Sequence, residues 1–242
     1  MRDVLVTGGS SGLGRFICRV FAENGDRLII HYRGNRRGAE EARDEAGGPS
    51  RAFIYGADIT VKKEMDAMAL WVKDELGGLD VLVNNAGMAK DAPVAVLGES
   101  DWRKVIDACL TGAFHCIRAF TPLIAGRGGG HIVNIASMIG VTGQAGASNY
   151  AAAKAGLIGL TRAAARELAP GNIRVNAVLP GWMPVGMGLD VPPNVAERIL
   201  SANVLGRTSD PAEVARLVRF VSTLENVSGQ VFNADSRIYR GW

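Results

Sequence analysis

Tyr150 and Lys154 stand four residues apart in "SNYAAAKAG", a spacing that sets both side chains on one face of a helix. A phenol beside an ammonium group is a means of moving a proton. Tyrosine titrates near ~10 unaided, and a neighbouring cation favours its ionised form. Thirteen residues before Tyr150, Ser137 closes the apolar run "GHIVNIAS" and so puts a hydroxyl at a strand end. A second constellation lies near the start, where "TGGSSGLG" (Thr7 to Gly14) follows the apolar "DVLV". Glycines at a strand-to-helix junction let the backbone turn tightly and approach a pyrophosphate, while the helix aims its unpaired N–H groups at the charge. About twenty residues further on, a site for NAD would carry a carboxylate at the end of the second strand. This chain reads His31-Tyr32-Arg33 there and meets no acid until Glu40. Arg33, with Arg36 or Arg37 behind it, is suited to a 2′-phosphate, so NADP(H) is expected over NAD(H).

Chemistry of this kind needs strand ends and helix starts along one edge, and the patterning supplies them. Strand candidates are "DVLVT" from Asp3, "RLIIHY" from Arg27, "RAFIYGAD" from Arg51, "LDVLVNN" from Leu79, "GHIVNIAS" from Gly130, "IRVNAVLP" from Ile173 and "GQVFNAD" from Gly229. They are rich in Val, Ile and Leu with little polar alternation, as strands covered on both faces are. Helix candidates fall between them near 12–24, 37–46, 61–76, 99–125, 149–168 and 210–223. The alternation predicts an α/β chain with a doubly wound parallel sheet. In "DPAEVARLV", Asp210 is the expected N-cap, Pro211 the first helical residue and Glu213 the reciprocal capping acid. The "GG" pairs at 47–48 and 77–78 are expected to end two helices. Pro180 to Thr208 is broken by prolines and glycines into a long loop with one short helix, the kind of segment that often serves as a lid. The chain, 1–242, reads as one domain with a substrate loop at about 182–208.

Bulk composition excludes several classes. With 48% hydrophobic and 21% charged residues, the 242-residue chain has a globular profile. Its only dense basic run, "HYRGNRRGAEEARDEAGG", is answered at once by Glu40, Glu41, Asp44 and Glu45, so no nucleic-acid surface is expected. No segment approaches the ~20 apolar residues that span a bilayer, and no secretory leader is visible. Cys18, Cys109 and Cys116 form no CxxC pair, and His115 and His131 lack metal-ligand spacing; no metal is expected, and the cysteines read as buried small hydrophobes in a reducing, cytoplasmic setting.

Taken together these residues resemble the short-chain dehydrogenase/reductase family, over Val4 to about Asp235. "TGGSSGLG" matches the family's TGxxxGxG cofactor loop, "NNAG" (Asn84 to Gly87) its sheet-and-cofactor motif, and "PG" at 180–181 the turn beside the nicotinamide. "NYAAAKAGLIGLT" and "LGRTSDPAEVA" look most like β-ketoacyl-[acyl-carrier-protein] reductases. The resemblance implies a Rossmann fold and a catalytic Ser137, Tyr150 and Lys154, with hydride passing from NADPH to a keto group. Tyr150 would donate the proton, Ser137 would hydrogen-bond the same oxygen, and Lys154 would lower the phenol's pKa and hold the nicotinamide ribose. It further implies that Gly8, Gly9, Ser10, Ser11, Gly12, Leu13 and Gly14 line the phosphates. Asp58 and Ile59 would contact adenine, Asn85, Ala86 and Gly87 the adenosine side, and Pro180, Gly181 and Met183 the carboxamide. Asn84 is expected to tie the central strands. A homotetramer and an acyl carrier protein partner are implied as well.

Several positions depart from that pattern. Cys109 stands where the family has a water-holding asparagine, Val185 where a threonine often bonds the cofactor, and Ser236-Arg237 where a glycine pair is usual. Of the arginines that grip a carrier protein, Arg127 is near one place and Gly171 occupies another. The alternatives are a ketoreductase or alcohol dehydrogenase for another small carbonyl, and a catalytically silent cofactor-binding subunit.

Overall fold

Strand β1 (Asp3–Val6) is buried along its whole length, and its pleat decides which residues meet which layer. Val4 and Val6 point to one face of the sheet and Leu5 to the other. The same division holds in β2 (Arg27–Tyr32), β4 (Val81–Asn84) and β5 (Gly130–Ile135). Each of these fully buried Val, Leu and Ile side chains contributes about 1.5–3 kcal/mol by leaving water. With β3 (Ala52–Gly56), β6 (Ile173–Leu179) and β7 (Val231–Asn233) they form one seven-stranded, wholly parallel sheet in the order β3-β2-β1-β4-β5-β6-β7. The computed structural model describes residues 1–189 and 191–238. Asp190 of the long loop and the last four residues of the tail "NADSRIYRGW" lie outside that description.

Helices cover both faces. On one, α1 (Gly12–Glu23) and α9 (Pro211–Val221) bring Ile17, Phe21, Val214 and Val218 onto Val4, Val6, Val81 and Val83. On the other, α3 (Lys62–Leu76), α5 (Gly112–Ala125) and α7 (Ser148–Leu168) bring Met65, Met68, Phe120 and Ala164 onto Leu5, Ile29, Leu82 and Ile132. Helix α2 (Arg36–Glu45) starts where Asn35 Oδ1 accepts from Gly38 N–H at 3.0 Å. Helix α3 ends on Gly77, whose φ of 75° suits a residue without a Cβ. At α9, Asp210 caps as expected by accepting from Ala212 N–H at 2.8 Å, while Glu213 supplies only a first-turn charge.

The helix expected near 99–125 is present and carries a π turn. Helix α4 (Glu99–Ile106) runs through a π-helical turn, Asp107–Thr111, directly into α5, giving one helical run over Glu99–Ala125. That run contains an 18-residue window of mean hydropathy 1.3 and is, by length and composition, long and apolar enough to cross a membrane. Its apolarity has an internal use, since Cys116, Phe120 and Ile124 are fully buried against the sheet. Arg127 is not free for a partner. Its guanidinium is held by Asp3 (2.8 Å), Asp80 (3.4 Å) and the Leu76 carbonyl (2.6 Å), at the amino-terminal edge of the sheet.

The strand order reverses between β1 and β4, and crevices of this kind open at the carboxyl ends of the strands. Helix α6 (Ile139–Thr142) is a single turn after β5, and the described part of the 180–208 segment carries a short 3-10 turn at Gly186–Gly188 and helix α8 (Pro193–Ala202).

Candidate active site

The glycine turn is fixed before its helix begins. Thr7 Oγ1 accepts from the N–H groups of Asn85 and Ala86, each at 3.0 Å, so the loop after β1 is tied to the one after β4. Asn85 Nδ2 returns bonds to the carbonyls of Thr7 (2.9 Å) and Gly8 (3.2 Å). A Cβ on Gly14 would fall 2.2 Å from the Gly8 oxygen, and one on Gly9 would meet Ile30 and Cys18 at 2.9 and 3.0 Å. Gly8 and Gly12 have φ of 64° and 52°, a region open to glycine. The start of α1 has no acidic residue in its first turn and no side-chain cap from Ser11. Its leading N–H groups therefore point unopposed out of the loop, an anion cradle that fits a dinucleotide pyrophosphate. Ser10 is buried in this turn and Leu13 packs beneath it.

His31 is the residue here whose importance sequence reasoning missed. Its Nδ1 accepts from Gly8 N–H at 3.2 Å, its Nε2 lies 2.9 Å from the Ala57 carbonyl, and the side chain is buried. The ring must be the neutral Nε2–H form to serve both partners. Burial lowers its pKa to about 4, against the Ala57 carbonyl and the Asp58 and Glu64 charges. Because the folded value lies below the unfolded one near ~6.5, this group favours the fold above that pH, and its contribution is lost between pH 6.5 and about 4. Only a buried strand-end histidine facing a glycine turn could have signalled the role.

The loops after β2 and β3 meet at Asp58. Asp58 Oδ1 accepts from the N–H (2.9 Å) and hydroxyl (2.8 Å) of Thr60. Burial pushes its carboxyl up, but these bonds and the Arg33 cation outweigh it and hold it below the usual range. Arg33 Nη1 is 3.7 Å from Asp58 Oδ2, on an exposed side chain beside buried Ile59. Arg36 and Arg37 pair along their own helix with Glu40 and Glu41, leaving Arg33 as the one arginine of the three that turns toward Asp58.

Ser137, Tyr150 and Lys154 come together beyond β5. Ser137 Oγ accepts from Ile139 N–H at 3.2 Å, and the hydroxyl is close enough to the Tyr150 phenol to favour its ionised form. Lys154 is buried, donates to the Ile135 carbonyl at 2.7 Å and lies 5.5 Å from the centroid of the Tyr150 ring. Gly87 separates Lys154 from Cys109: a Cβ there would be 3.2 Å from the sulfur and 3.8 Å from Nζ. The Met88–Ala92 segment is bound to the start of α7 through Asn149 Nδ2 to the Lys90 carbonyl (2.9 Å) and Ala92 N–H to the Gly146 carbonyl (2.8 Å).

Opposing influences act on the phenol within the polypeptide alone. Burial pushes Tyr150 well above its ordinary value, with the Cys109 sulfur and Asp91 adding to it, and the Ser137 hydroxyl opposes only part of this. Burial also lowers the Lys154 ammonium, which blunts the cation meant to acidify the ring. The polypeptide thus holds Tyr150 as a neutral O–H, a proton donor.

Cys109 replaces an amide with a thiol that works in both directions: Met88 N–H donates to it at 3.4 Å and it donates to the Met88 carbonyl at 3.3 Å. Both bonds are weak, sulfur being a poor partner. In Cys109→Asn the amide can make the same two bonds more strongly, and turnover is expected to be preserved or raised within about threefold. Steady-state kcat across pH checks this; a steep loss would show that the thiol has a purpose of its own.

The turn after β6 completes the cleft. Gly181 adopts φ of 77° against Ser209 and Asp235, Met183 is buried in the core layer of α1, and Gly186 meets Gly12 backbone to backbone. A Cβ on Gly186 would sit 3.1 Å from Gly12 Cα. Pro180 leads straight from β6 into this turn. As expected, Asn84 spans to Asn134 (2.8 Å), and that to Thr161 (2.9 Å), between the central strands and α7. His115 bonds the Ile59 carbonyl at 3.1 Å, and no metal-ligating cluster occurs among the described residues.

A family model described as short chain dehydrogenase matches residues 2–195, which spans the glycine turn, Ser137, Tyr150 and Lys154. The chain belongs to the short-chain dehydrogenase family. It is therefore an oxidoreductase of the nicotinamide-dependent kind. It is 36% identical over 241 residues, 98% of each chain, to the 3-oxoacyl-[acyl-carrier-protein] reductase FabG of Staphylococcus aureus. It is likewise 36% identical to the FabG of Thermotoga maritima, covering 96% of this chain and 95% of that one. A crystal structure from Sinorhizobium meliloti, described as a short-chain alcohol dehydrogenase, superposes with a TM-score of 0.90 at 32% identity, covering 97% and 95% of the two chains.

Proposed function

We propose that this short-chain dehydrogenase is an NADP(H)-dependent reductase of β-ketoacyl thioesters. The observation that carries the reading is the meeting of Ser137, Tyr150 and Lys154 at the carboxyl end of β5. The bound nicotinamide would supply hydride to the keto carbon. Tyr150 O–H then donates to the oxygen on which charge develops, and Ser137 Oγ–H bonds the same oxygen. Lys154, anchored through Ile135, stands behind the ring as cation and ribose ligand. Gly8 to Gly14 cradle the pyrophosphate, Asp58 and Ile59 flank the adenine, Asn85 to Gly87 border the adenosine side, and Pro180, Gly181 and Met183 border the carboxamide. The segment at about 182–208 acts as the substrate lid of a single domain. The names of the two FabG relatives support a carrier-protein thioester, and the exposed Trp102, Phe114, Val94 and Val96 support self-association, in this proposal as a cytoplasmic homotetramer.

Arg33 is assigned the 2′-phosphate. Following cofactor oxidation with acetoacetyl thioester tests the whole reading, and kcat/KM for NADPH should exceed that for NADH. Arg33→Ala should shrink that ratio about tenfold, the size of one partly exposed charged hydrogen bond. A native preference for NADH overturns the cofactor assignment. A second reading, reduction of another small carbonyl, is favoured by one fact: Arg127 is already engaged by Asp3 and Asp80. Simple ketones in the same assay separate the two.

A further inference from the structure

The tail after β7 departs from the family's glycine pair, and its two unusual residues have a common consequence. Ser236 fastens the tail to the end of α8. Its hydroxyl donates to Asn203 Oδ1 at 3.3 Å and accepts from Leu205 N–H at 3.2 Å, and its carbonyl accepts from Val204 N–H at 3.4 Å. Arg237 is then clamped by Asp235, whose carboxylate takes its Nε at 2.6 Å and its backbone N–H at 2.9 Å and touches one amino nitrogen as well. Asp235 is itself buried against Gly181. The arginine is thus preorganised on a tail packed against the turn that borders the cleft.

Arg237 faces a groove of about 300 Å³ between α8 and the Gly143–Ala145 segment, which lies in the chain between Ser137 and Tyr150. Arg198, exposed on α8, lines the same groove and has no ion partner among the described residues. Among the described residues no acid lines it: Glu197, next to Arg198, faces a separate hollow with Pro193 and Leu200. Asp235 sits behind Arg237 and orients it, and Arg198 adds an unneutralised charge, so the groove presents a net cation beside the catalytic segment.

Resting on the thioester reading above, we infer that Arg198 and Arg237 form an oxyanion-binding mouth that takes the phosphate of a substrate's phosphopantetheine arm. Two guanidinium groups, one clamped by Asp235 and one exposed on α8, match the geometry of a phosphate better than that of a neutral arm. This would supply the grip on the substrate that Arg127, held at the other edge of the sheet, does not offer.

The test pairs acetoacetyl-4′-phosphopantetheine with acetoacetyl-pantetheine, which differ only in the phosphate, on the wild type and on Arg198→Gln. Arg198 is exposed and unpaired, so the variant should fold normally. Wild type should favour the phosphorylated ester. Arg198→Gln should raise KM for that ester about tenfold, leave KM for the other unchanged, and leave kcat intact for both. Equal KM for the two esters in the wild type, or an equal loss on both in the variant, overturns the mouth while the reductase reading stands. Reduction of simple ketones but of neither ester overturns both. Acetoacetyl-coenzyme A and an acetoacetyl carrier protein then identify the source of the phosphate by which of them carries the KM increase; an increase on neither also overturns the proposal.

Discussion

Tyr150→Phe is expected to reduce kcat by about a thousandfold, within the range that a positioned proton donor contributes, or ~4 kcal/mol of barrier. The ring packs with Val105, Cys109 and Ala153, and phenylalanine preserves those contacts. Removing the hydroxyl deletes the donor and leaves the Ser137 hydroxyl with its bond to Ile139 N–H. The hydroxyl's surroundings already disfavour the phenolate, so stability should not fall. The variant should therefore keep its melting temperature and its cofactor affinity while losing turnover. Measuring NADPH binding by fluorescence together with single-turnover reduction separates these quantities. Turnover within tenfold of wild type would mean that some other group delivers the proton.

How far the sequence disclosed this site depends on which kind of information a residue carries. Seven apolar runs broken by helix-period segments disclosed the sheet, because strands buried on both faces leave no polar alternation to confuse them. The glycine turn was legible for a similar reason. Its chemistry is a backbone matter, and Gly9 and Gly14 are required by contacts that any side chain would violate. Properties set by three-dimensional surroundings were not legible. The pairing of Tyr150 with Lys154 suggests an acidified phenol, while burial acts against it, and burial depends on α4, the π turn and α5 closing over α7. His31 looked like an absence, a missing acid at the end of β2, and became a ligand for Gly8 only once β1 and β2 were in register. Arg127 looked available because Asp3 and Asp80 are remote in the chain; parallel pairing brings their strand starts together beneath it.

Gly14→Ala should produce the second large effect, this time on cofactor binding. The new methyl would lie 2.2 Å from the Gly8 oxygen and 2.7 Å from Asn85 Nδ2, and neither can yield cheaply. The Gly8 carbonyl accepts from Asn85, its N–H is held by His31, and Thr7 joins the same loop to Asn85 and Ala86. Relief requires the turn to move as a unit away from α1, which opens the cradle of N–H groups. Overpacking of this kind costs about 1–3 kcal/mol, so NADPH affinity should fall roughly a hundredfold and the melting temperature by several degrees. Gly159→Ala is the matched control. It lies within α7 with nothing inside 4 Å of the added methyl, and should stabilise the protein by about 0.5–1 kcal/mol without touching cofactor affinity. Isothermal titration and thermal melts on the two variants read both effects. If Gly14→Ala bound NADPH as tightly as Gly159→Ala, the pyrophosphate would have to sit elsewhere than on the start of α1.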